Sequence, residues 1–377
     1  MRFLAPLVTV LLITAVSWLL VALHVAPVVP GRWTTVVAFW ALSVLPVFVL
    51  VRNFTTKRYP SAATRLWMFR PFWYTQLLML ALALLATIAF VVALPFGAGM
   101  AAGRWTTITG AAALVVVGIW GYVGSRRLVT RTIELAHPRL PARLDGLRIV
   151  QLSDLHVGPH TSRTQLERIA EATRRAAAHI IAYTGDQVDD HPADVDAFAS
   201  AFGNLTAPLG VYAIPGNHDI YAGWPEVRHR LEAIGIGVLV NESVRIAHDG
   251  EVFYLAGTGD PAAGQKRTEA GGPDVERTMQ GVPTEAFCLV LAHNPALFPA
   301  LSARGADVVL SGHTHHGQFS IPSRNWSLAT VFLDYAMGTY SRDGALLYIS
   351  PGTNFWGIPF RIGALPEVTV ITLRRPE

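Results

Sequence analysis

The chain of 377 residues carries a formal net charge of +4 and is long enough for two domains, but its charges divide unevenly. No Asp or Glu precedes Glu134, so residues 1–133 hold 11 Lys and Arg and no acid, which leaves 30 − 11 = 19 basic against 26 acidic residues, or −7, for the remainder. The basic balance therefore belongs to the front third, the acidic remainder has no Lys/Arg stripe with interleaved aromatics, and both facts argue against a nucleic-acid partner.

In chain order, the first elements are four apolar runs, residues 3–25, 33–51, 72–94 and 105–123. Each has about the 20 residues a bilayer core requires, which predicts a four-helix transmembrane domain over residues 1–127. A lone first run would read as a cleaved signal peptide, but three more follow and no small-residue cleavage site stands out. Trp33, Trp67, Trp73 and Trp105 fall at run ends, where amphipathic rings anchor at headgroup level. Arg52, Lys57, Arg58, Arg65 and Arg70 separate the second and third runs, and Arg126, Arg127 and Arg131 follow the fourth; the other two loops hold only Arg32 and Arg104. The positive-inside bias then predicts a multi-pass integral membrane protein with both chain ends, and hence the second domain, in the cytoplasm. The runs contain no acid, which argues against a proton-driven transporter.

Val21-Ala22-Leu23 followed by Gly31-Arg32-Trp33-Thr34-Thr35 recurs as Val92-Ala93-Leu94 followed by Gly103-Arg104-Trp105-Thr106-Thr107, a pattern that tandem helical hairpins would produce. Gly118, Gly121 and Gly124 recur every third residue of the fourth run, either to admit a neighbouring backbone or as filler.

After residue 127 the pattern changes. Residues 129–135 alternate like a strand, and buried strands are expected at 147–153, 179–184, 210–215, 253–258, 287–292, 307–311, 346–350 and 368–373. Helices are expected at 164–178, 194–202 and 225–234. Such alternation implies an α/β domain over residues 128–377 with helices covering sheet faces. The single cysteine, Cys288, lies inside one strand, where a buried thiol is expected and no internal disulfide can form. Nearly every polar motif falls just past the C-terminal end of a strand, where sites converge in such folds.

Asp154 and His156 are two apart at a strand end, so both can project onto one metal. Asp186 follows Gly185, where the backbone can approach closely, and its two oxygens can bridge two cations. Asp189 and Asp190 read as supporting or turn residues. In Pro215-Gly216-Asn217-His218-Asp219 the amide oxygen of Asn217 is a neutral ligand, His218 is left free to act on substrate, and Asp219 can orient that imidazole. His293, His313 and His315 stand at two further strand ends, and metal ligation would satisfy all three rings together. His316 reads as a supporting or solvent-facing residue. Five segments thus supply N and O donors and no sulfur, which suits two divalent cations of the Mn²⁺, Fe or Zn²⁺ kind.

These residues resemble the calcineurin-like metallophosphoesterase family, in particular its membrane-tethered bacterial branch of phosphohydrolases. The likeness covers about residues 128–377 and is carried by the run from Leu147 to Gly158 around Ser153-Asp154-Leu155-His156, by Ser311-Gly312-His313-Thr314-His315, by Gly317-Gln318, and by the ending Pro366-Glu367-Val368-Thr369-Val370-Ile371-Thr372-Leu373. It implies two facing mixed β-sheets flanked by helices. It also implies one metal on Asp154, His156, Asp186 and His315, a second on Asp186, Asn217, His293 and His313, and His218 as the catalytic histidine. The branch usually has Gly where this chain has His316, which bears on substrate preference.

The expected reaction is hydrolysis of a phosphoester by in-line attack of a hydroxide shared between the two metals, with His218 stabilising charge or protonating the leaving oxygen. Three readings stay open at this level. The first is a membrane-anchored phosphohydrolase acting on an amphiphilic or lipid-linked phosphoester. The second is a phosphodiesterase acting on soluble cytoplasmic nucleotides with the spans only as anchor, and the third a non-catalytic membrane scaffold or sensor. The oligomeric state is not readable from the sequence.

Overall fold

The computed structural model describes residues 4–25, 37, 44–52, 60–266 and 272–376. They divide into two compact units, Met1–Trp120 and Gly121–Glu377.

The first unit contains helix α1 (Leu4–Val25) and helix α2 (Arg70–Ala93), the latter entered through a π-helical turn at Arg65–Phe69 and left through a 3₁₀ turn at Leu94–Phe96. Helix α3 (Gly99–Arg126) begins there. Gly97, at φ 68, takes the left-handed conformation that lets the chain turn between α2 and α3. Among the described residues, two stretches are long and apolar enough to cross a membrane, Arg65–Phe96 and Gly99–Arg126, where hydropathy alone predicts four. The described apolar part of α1, Leu12–Val25, is shorter than that, and about half of the second expected span, 33–51, lies outside the described residues. Leu84, Leu85, Ile88, Val91 and Val92 on α2 and Val115, Val116 and Ile119 on α3 are exposed, an apolar surface suited to lipid rather than water.

The second unit is built on two six-stranded sheets. The first takes β1 (Val129–Ala136), β2 (Arg148–Leu152), β3 (Ile180–Tyr183), β4 (Val211–Ala213), β5 (Gly237–Val238) and the late strand β14 (Glu367–Arg374), in the order β1-β14-β2-β3-β4-β5. The second takes β6 (Glu242–His248), β7 (Glu251–Gly257), β8 (Cys288–Leu291), β9 (Val308–Ser311), β12 (Gly338–Arg342) and β13 (Ala345–Ile349), in the order β12-β13-β9-β8-β7-β6. A two-residue ribbon pairs β10 (Ser320–Ile321) with β11 (Trp326–Ser327). Both sheets are mixed: β14 runs parallel to β1 and antiparallel to β2, while β7, β8, β9 and β13 are parallel neighbours flanked by two antiparallel hairpins.

Strand alternation sorts the core into layers. On β2, Ile149 faces Leu289, Leu310 and Phe253 of the other sheet, while Val150 and Leu152 join Leu166, Ile169, Phe198 and Leu231 beneath the helices. Those helices are α4 (Arg163–Ala176), α5 (Val195–Phe202) and α6 (Asn217–Ala233). Helix α4 starts where the Ser162 side chain accepts the Gln165 N–H, and it buries Leu166, Ile169, Ala170 and Thr173 on one face. The outer face of the second sheet is closed by α7 (Phe298–Ala303), whose Phe298 and Leu301 pack on Val290, Val309 and Ile349. Gln151, wholly buried on β2, donates to the Ser311 carbonyl on β9 at 2.9 Å and so fixes the spacing of the two sheets just beneath the strand ends that carry the polar motifs.

The eight expected strands at 147–153 onward are present, as is β1. Unforeseen were the two-residue strands β5, β10 and β11 and the longer β6 and β12; the last two are edge strands with polar faces, yet each leads into a two-residue Asp-Gly turn with both residues left-handed: Asp249 and Gly250 at φ 48 and 79, Asp343 and Gly344 at φ 50 and 83. Those dipeptides are the sequence mark of a hairpin. Helix α6 begins at Asn217 rather than 225, because the chain stays helical across a kink at Gly223 (φ 129) that precedes Pro225.

Candidate metal centre

Because β2, β3, β4, β8 and β9 end on the same rim, their following loops converge. Asp154 and His156 follow β2, Asp186 follows β3, Asn217 and His218 open α6 after β4, His293 follows β8, and His313 and His315 follow β9. The turns are tight. Asp154, His156, Asp186, His313 and His315 have φ of 53, 40, 53, 70 and 50, left-handed conformations that side-chain-bearing residues hold only when the surroundings enforce them. Two glycines permit the closeness: a Cβ on Gly216 would lie 2.1 Å from Asp186 Oδ1, and one on Gly312 would lie 1.9 Å from Ser153 Oγ.

The donors form two overlapping groups. In the first, the Nε2 atoms of His156 and His315 face each other at 3.0 Å, Asp154 Oδ1 lies 3.4 Å from His315 Nε2, and Asp186 Oδ2 lies 3.5 Å from His156 Nε2. In the second, the same Asp186 Oδ2 is 3.3 Å from His293 Nε2, and Asn217 Oδ1 is 3.2 Å from His293 Nε2 and 2.9 Å from His313 Nδ1. Asp186 is shared between them. Two ring nitrogens turned toward each other and toward carboxylates, in a pocket where Asp154, His156, Asp186, His293 and His315 are all buried, fit cations held by N and O ligands. The ligand residues are themselves supported: Ser153 Oγ donates to Asp154 Oδ2 at 2.6 Å, the His313 N–H donates to Asp154, and His293 Nδ1 is 2.7 Å from the Thr184 carbonyl.

Against the protein's own charges, the rings divide into two kinds. Burial, and for His313 also the neighbouring His293, pushes His313 down to about 4, while burial followed by Arg361 and His156 holds His315 well below the ordinary range. Both rings are therefore neutral, and in His315, whose Nδ1 accepts from Arg361, the proton lies on Nε2. For His293 and His218 burial acts in the same direction, but Asp186 overrides it in both, raising His293 well above its usual value and His218, helped by Asp190 and Asp189, to about 10. Burial also works to raise Asp186, yet His293, His218 and His156 keep its carboxyl well below the usual range.

His218 stands beside this cluster. Its backbone N–H donates to Asp186 Oδ1 at 2.8 Å, its Nδ1 is 2.8 Å from the Asp189 carbonyl oxygen, and Asp190 Oδ1 lies 3.4 Å from the same nitrogen. Tyr221 and the half-exposed Trp356 flank the ring at 5.6 and 6.0 Å. Asp219, expected to orient that imidazole, is turned elsewhere: its Oδ1 accepts the N–H groups of Gln187 and Val188 at 2.9 and 3.1 Å, and its Oδ2 accepts that of Gly216 at 2.9 Å. It sits in the first turn of α6, where its side chain reaches back to the start of the helix, and the groups facing the His218 ring are Asp189 and Asp190 instead. His316 is buried rather than solvent-facing. Its Nε2 is 3.2 Å from the Ile349 carbonyl, burial pushes its pKa down to about 3, and its φ of 48 is the physical reason a glycine would suit the position.

Sequence reasoning missed a sixth contributing loop, the one after β13. Thr353 Oγ1 accepts the Ser153 N–H at 3.1 Å, Asn354 donates to the Leu155 carbonyl at 2.7 Å, and Arg361 Nη2 lies 2.8 Å from His315 Nδ1. The available signals were the polar Gly352-Thr353-Asn354 just past a strand, like the other motifs, and Arg361 as the sole charge between Asp343 and Glu367.

Residues 147–317 match the family described as calcineurin-like phosphoesterase. The chain is 34% identical over 254 residues to a zebrafish (Danio rerio) transmembrane protein with metallophosphoesterase domain and 32% identical over 257 residues to the Bos taurus protein of the same description, covering 64% of this chain and 56% of each of those proteins. It is 31% identical over 248 residues to an uncharacterized metallophosphoesterase of Helicobacter pylori strain J99, covering 63% of this chain and 65% of that protein. The alignments thus span little more than half the length of the vertebrate relatives.

Proposed function

Since residues 147–317 match the calcineurin-like phosphoesterase family, we propose that the chain is a membrane-anchored, metal-dependent phosphohydrolase that binds two divalent cations and cleaves an amphiphilic or lipid-linked phosphoester. The observation that carries the reading is the position of Asp186, one of whose oxygens lies 3.5 Å from His156 Nε2 and 3.3 Å from His293 Nε2. A carboxylate so placed is shared by two ligand groups.

In this reading Asp154, His156, Asp186 and His315 hold one cation, and Asp186, Asn217, His293 and His313 the other. Bound there, such cations would supply Lewis acidity to a water and to the phosphoryl oxygens, and the N and O donor set would suit Mn²⁺, Fe or Zn²⁺. The remaining chemistry falls to protein groups. With Nδ1 against the Asp189 carbonyl, His218 donates there and leaves Nε2 for the substrate, for charge stabilisation or proton donation to the leaving oxygen. Asp189 and Asp190 hold that ring in place, and Asp219 keeps the Gly216 and Gln187 backbones, and so the flanking ligands, in position.

The amphiphilic substrate is supported by the surface near the site. The segment after His315 packs over Gly317, where a Cβ would lie 2.7 Å from Leu328 Cβ, and it exposes Leu328, Val331, Phe332 (78% exposed) and Leu333, with Trp356 exposed beside His218. Such a cluster would be costly in water and suits acyl chains or the bilayer edge. Only Arg127 and Leu128 separate α3 from β1, so the chain passes from one element to the other with little slack. The loop charges put the domain in the cytoplasm.

The test is an assay of the intact, detergent-solubilised protein supplied with Mn²⁺ on a chromogenic monoester, a chromogenic diester and lipid phosphates in vesicles. The expected result is a preference for a lipid phosphate that drops about tenfold in Phe332→Ser/Trp356→Ser while chromogenic ester turnover holds. Equal turnover of lipid and soluble esters by both forms would shift the substrate to soluble nucleotides, and absence of any turnover would favour a scaffold.

A further inference from the structure

The glycine repeat of α3 finds its partner in the last loop of the second unit. The Arg361 N–H donates to the Gly121 carbonyl at 2.8 Å; a Cβ on Gly121 would lie 2.3 Å from the Phe360 ring, and one on Gly124 would lie 2.0 Å from the Arg361 carbonyl oxygen. The two glycines are therefore a seat for the backbone of residues 360 and 361. A Cβ on Gly118, one step earlier in the repeat, would meet only Leu78 Cδ1 at 3.9 Å, an ordinary contact.

From that seat the Arg361 side chain runs inward and is wholly buried. Nη1 donates to the carbonyls of His315 (3.2 Å), Ala364 (3.2 Å) and Pro351, and Nη2 to the Asn354 carbonyl and to His315 Nδ1 at 2.8 Å. Among the described residues it forms no ion pair with a carboxylate. A buried cation without a paired anion is expensive, and one that spends its donors on a ring nitrogen and four carbonyls is placed for geometry rather than for charge pairing. It grips the His315 residue at two atoms, the carbonyl and Nδ1; because Nδ1 accepts, the proton of the neutral ring sits on Nε2, which faces Asp154 and His156, and a cation bound there would take that proton's place.

We propose that Arg361 is a positioning residue that fixes the metal-facing ring of His315, and that the last turns of α3, through Gly121 and Gly124, fix Arg361. The inference rests on the two-cation reading above. It makes the end of the apolar helix part of the metal site's support, two contacts removed from a ligand: Gly124 against the Arg361 carbonyl, and Arg361 against His315. A side chain at 124 has to displace the 360–361 backbone, and with it the guanidinium.

The experiment measures Mn²⁺ bound per full-length chain in detergent, by elemental analysis after equilibration across Mn²⁺ concentrations, for wild type, Gly118→Ala, Gly124→Ala, Arg361→Lys and Arg361→Met, with near-UV circular dichroism as a check of packing. The expected wild-type result is two ions. Gly124→Ala and Arg361→Met should retain one ion at concentrations that give wild type two, with the second recovered only at tenfold or more higher Mn²⁺; Arg361→Lys should fall between, and Gly118→Ala should match wild type. Should Arg361→Met lose its packing, Gly124→Ala and Arg361→Lys decide the matter. If both bind two ions with wild-type affinity, or if they weaken both ions equally, Arg361 does not position His315. A wild type that binds no more than one ion would instead overturn the two-cation reading and leave the Arg361 contacts as structural support alone.

Discussion

His218 Nδ1 lies 2.8 Å from the carbonyl oxygen of Asp189, so one nitrogen of the imidazole is held by a backbone group and the other is not needed for that contact. Asp186 sits between the two ligand groups. Substitution should separate the two roles. Asp186→Ala is expected to lose metal and activity together, whereas His218→Ala should keep both ions while kcat falls at least ~100-fold. Metal analysis beside single-turnover kinetics reads the difference, and loss of both ions in the His218 variant would reverse the assignment.

Asp219 should behave as a structural anchor. Its carboxylate serves three buried backbone N–H groups, and each one left unpaired costs about 1–3 kcal/mol, so Asp219→Ala should destabilise the domain by about 3 kcal/mol or more and weaken metal binding with it. Denaturant unfolding of the metal-free protein measures this. An Asp219→Ala protein of wild-type stability, slowed only in kcat, would restore the orienting role expected from the sequence.

At the far end of the first sheet, His179 gives a pH dependence independent of metal. Its Nδ1 accepts the Arg148 N–H at 3.0 Å, which requires the neutral ring, and burial, then His248 and Arg148, lower its pKa. A folded pKa below the unfolded one means the unfolded chain takes up the proton first. The contribution of His179 to stability is thus complete above about pH 6.5 and declines as the pH falls from there toward the folded value. Wild type should lose stability relative to His179→Gln on going from pH 7 to pH 5.5; parallel curves would contradict it.

Cys288 should be inert. Burial, and after it the charge of Asp307, pushes its thiol up to about 12, and the residue is wholly inaccessible. Iodoacetamide at pH 8 is expected to leave the native protein unlabelled and to label one site per chain on unfolding. Native labelling at a rate near that of the unfolded chain would show that β8 opens readily.

Sidedness is open to a direct check. A C-terminal reporter that fluoresces only in the cytoplasm should light, and one active only after export should stay dark. The reverse pattern would move the search for substrates to the outer side of the membrane.

Much of the site was legible because its residues occur in short motifs at strand ends, and a strand end is visible in sequence as a change from apolar to polar. Asp154, His156, Asp186, Asn217, His293, His313 and His315, read from five separate segments, lie together in the folded chain. Partnership inside a motif was less legible. Asp219 follows His218 directly, yet the helix turn sends its carboxylate back to Gly216, while Asp189 and Asp190, on another loop, face the ring. The partners of Arg361 were hidden for the same reason: its contacts lie 46 residues back, at His315, and at Gly121 in a stretch that hydropathy assigns wholly to the membrane. The buried strands were legible from apolar runs, whereas edge strands β6 and β12 carry polar residues outward and read as loop until their Asp-Gly turns are weighed.

The insertion of β14 between β1 and β2 has a consequence for biosynthesis. β1 leaves the ribosome directly after the apolar helices, but its only sheet neighbour among the described residues is β14, which is translated after the whole of residues 137–366. Until then Ile133 and Leu135 have no strand to pair against and the first sheet has an open edge next to β2. Closure demands a contact of high sequence separation, the slow kind. A nascent chain held at the membrane by its helices would carry this unpaired strand through most of its translation, a period in which chaperone cover matters more than final stability.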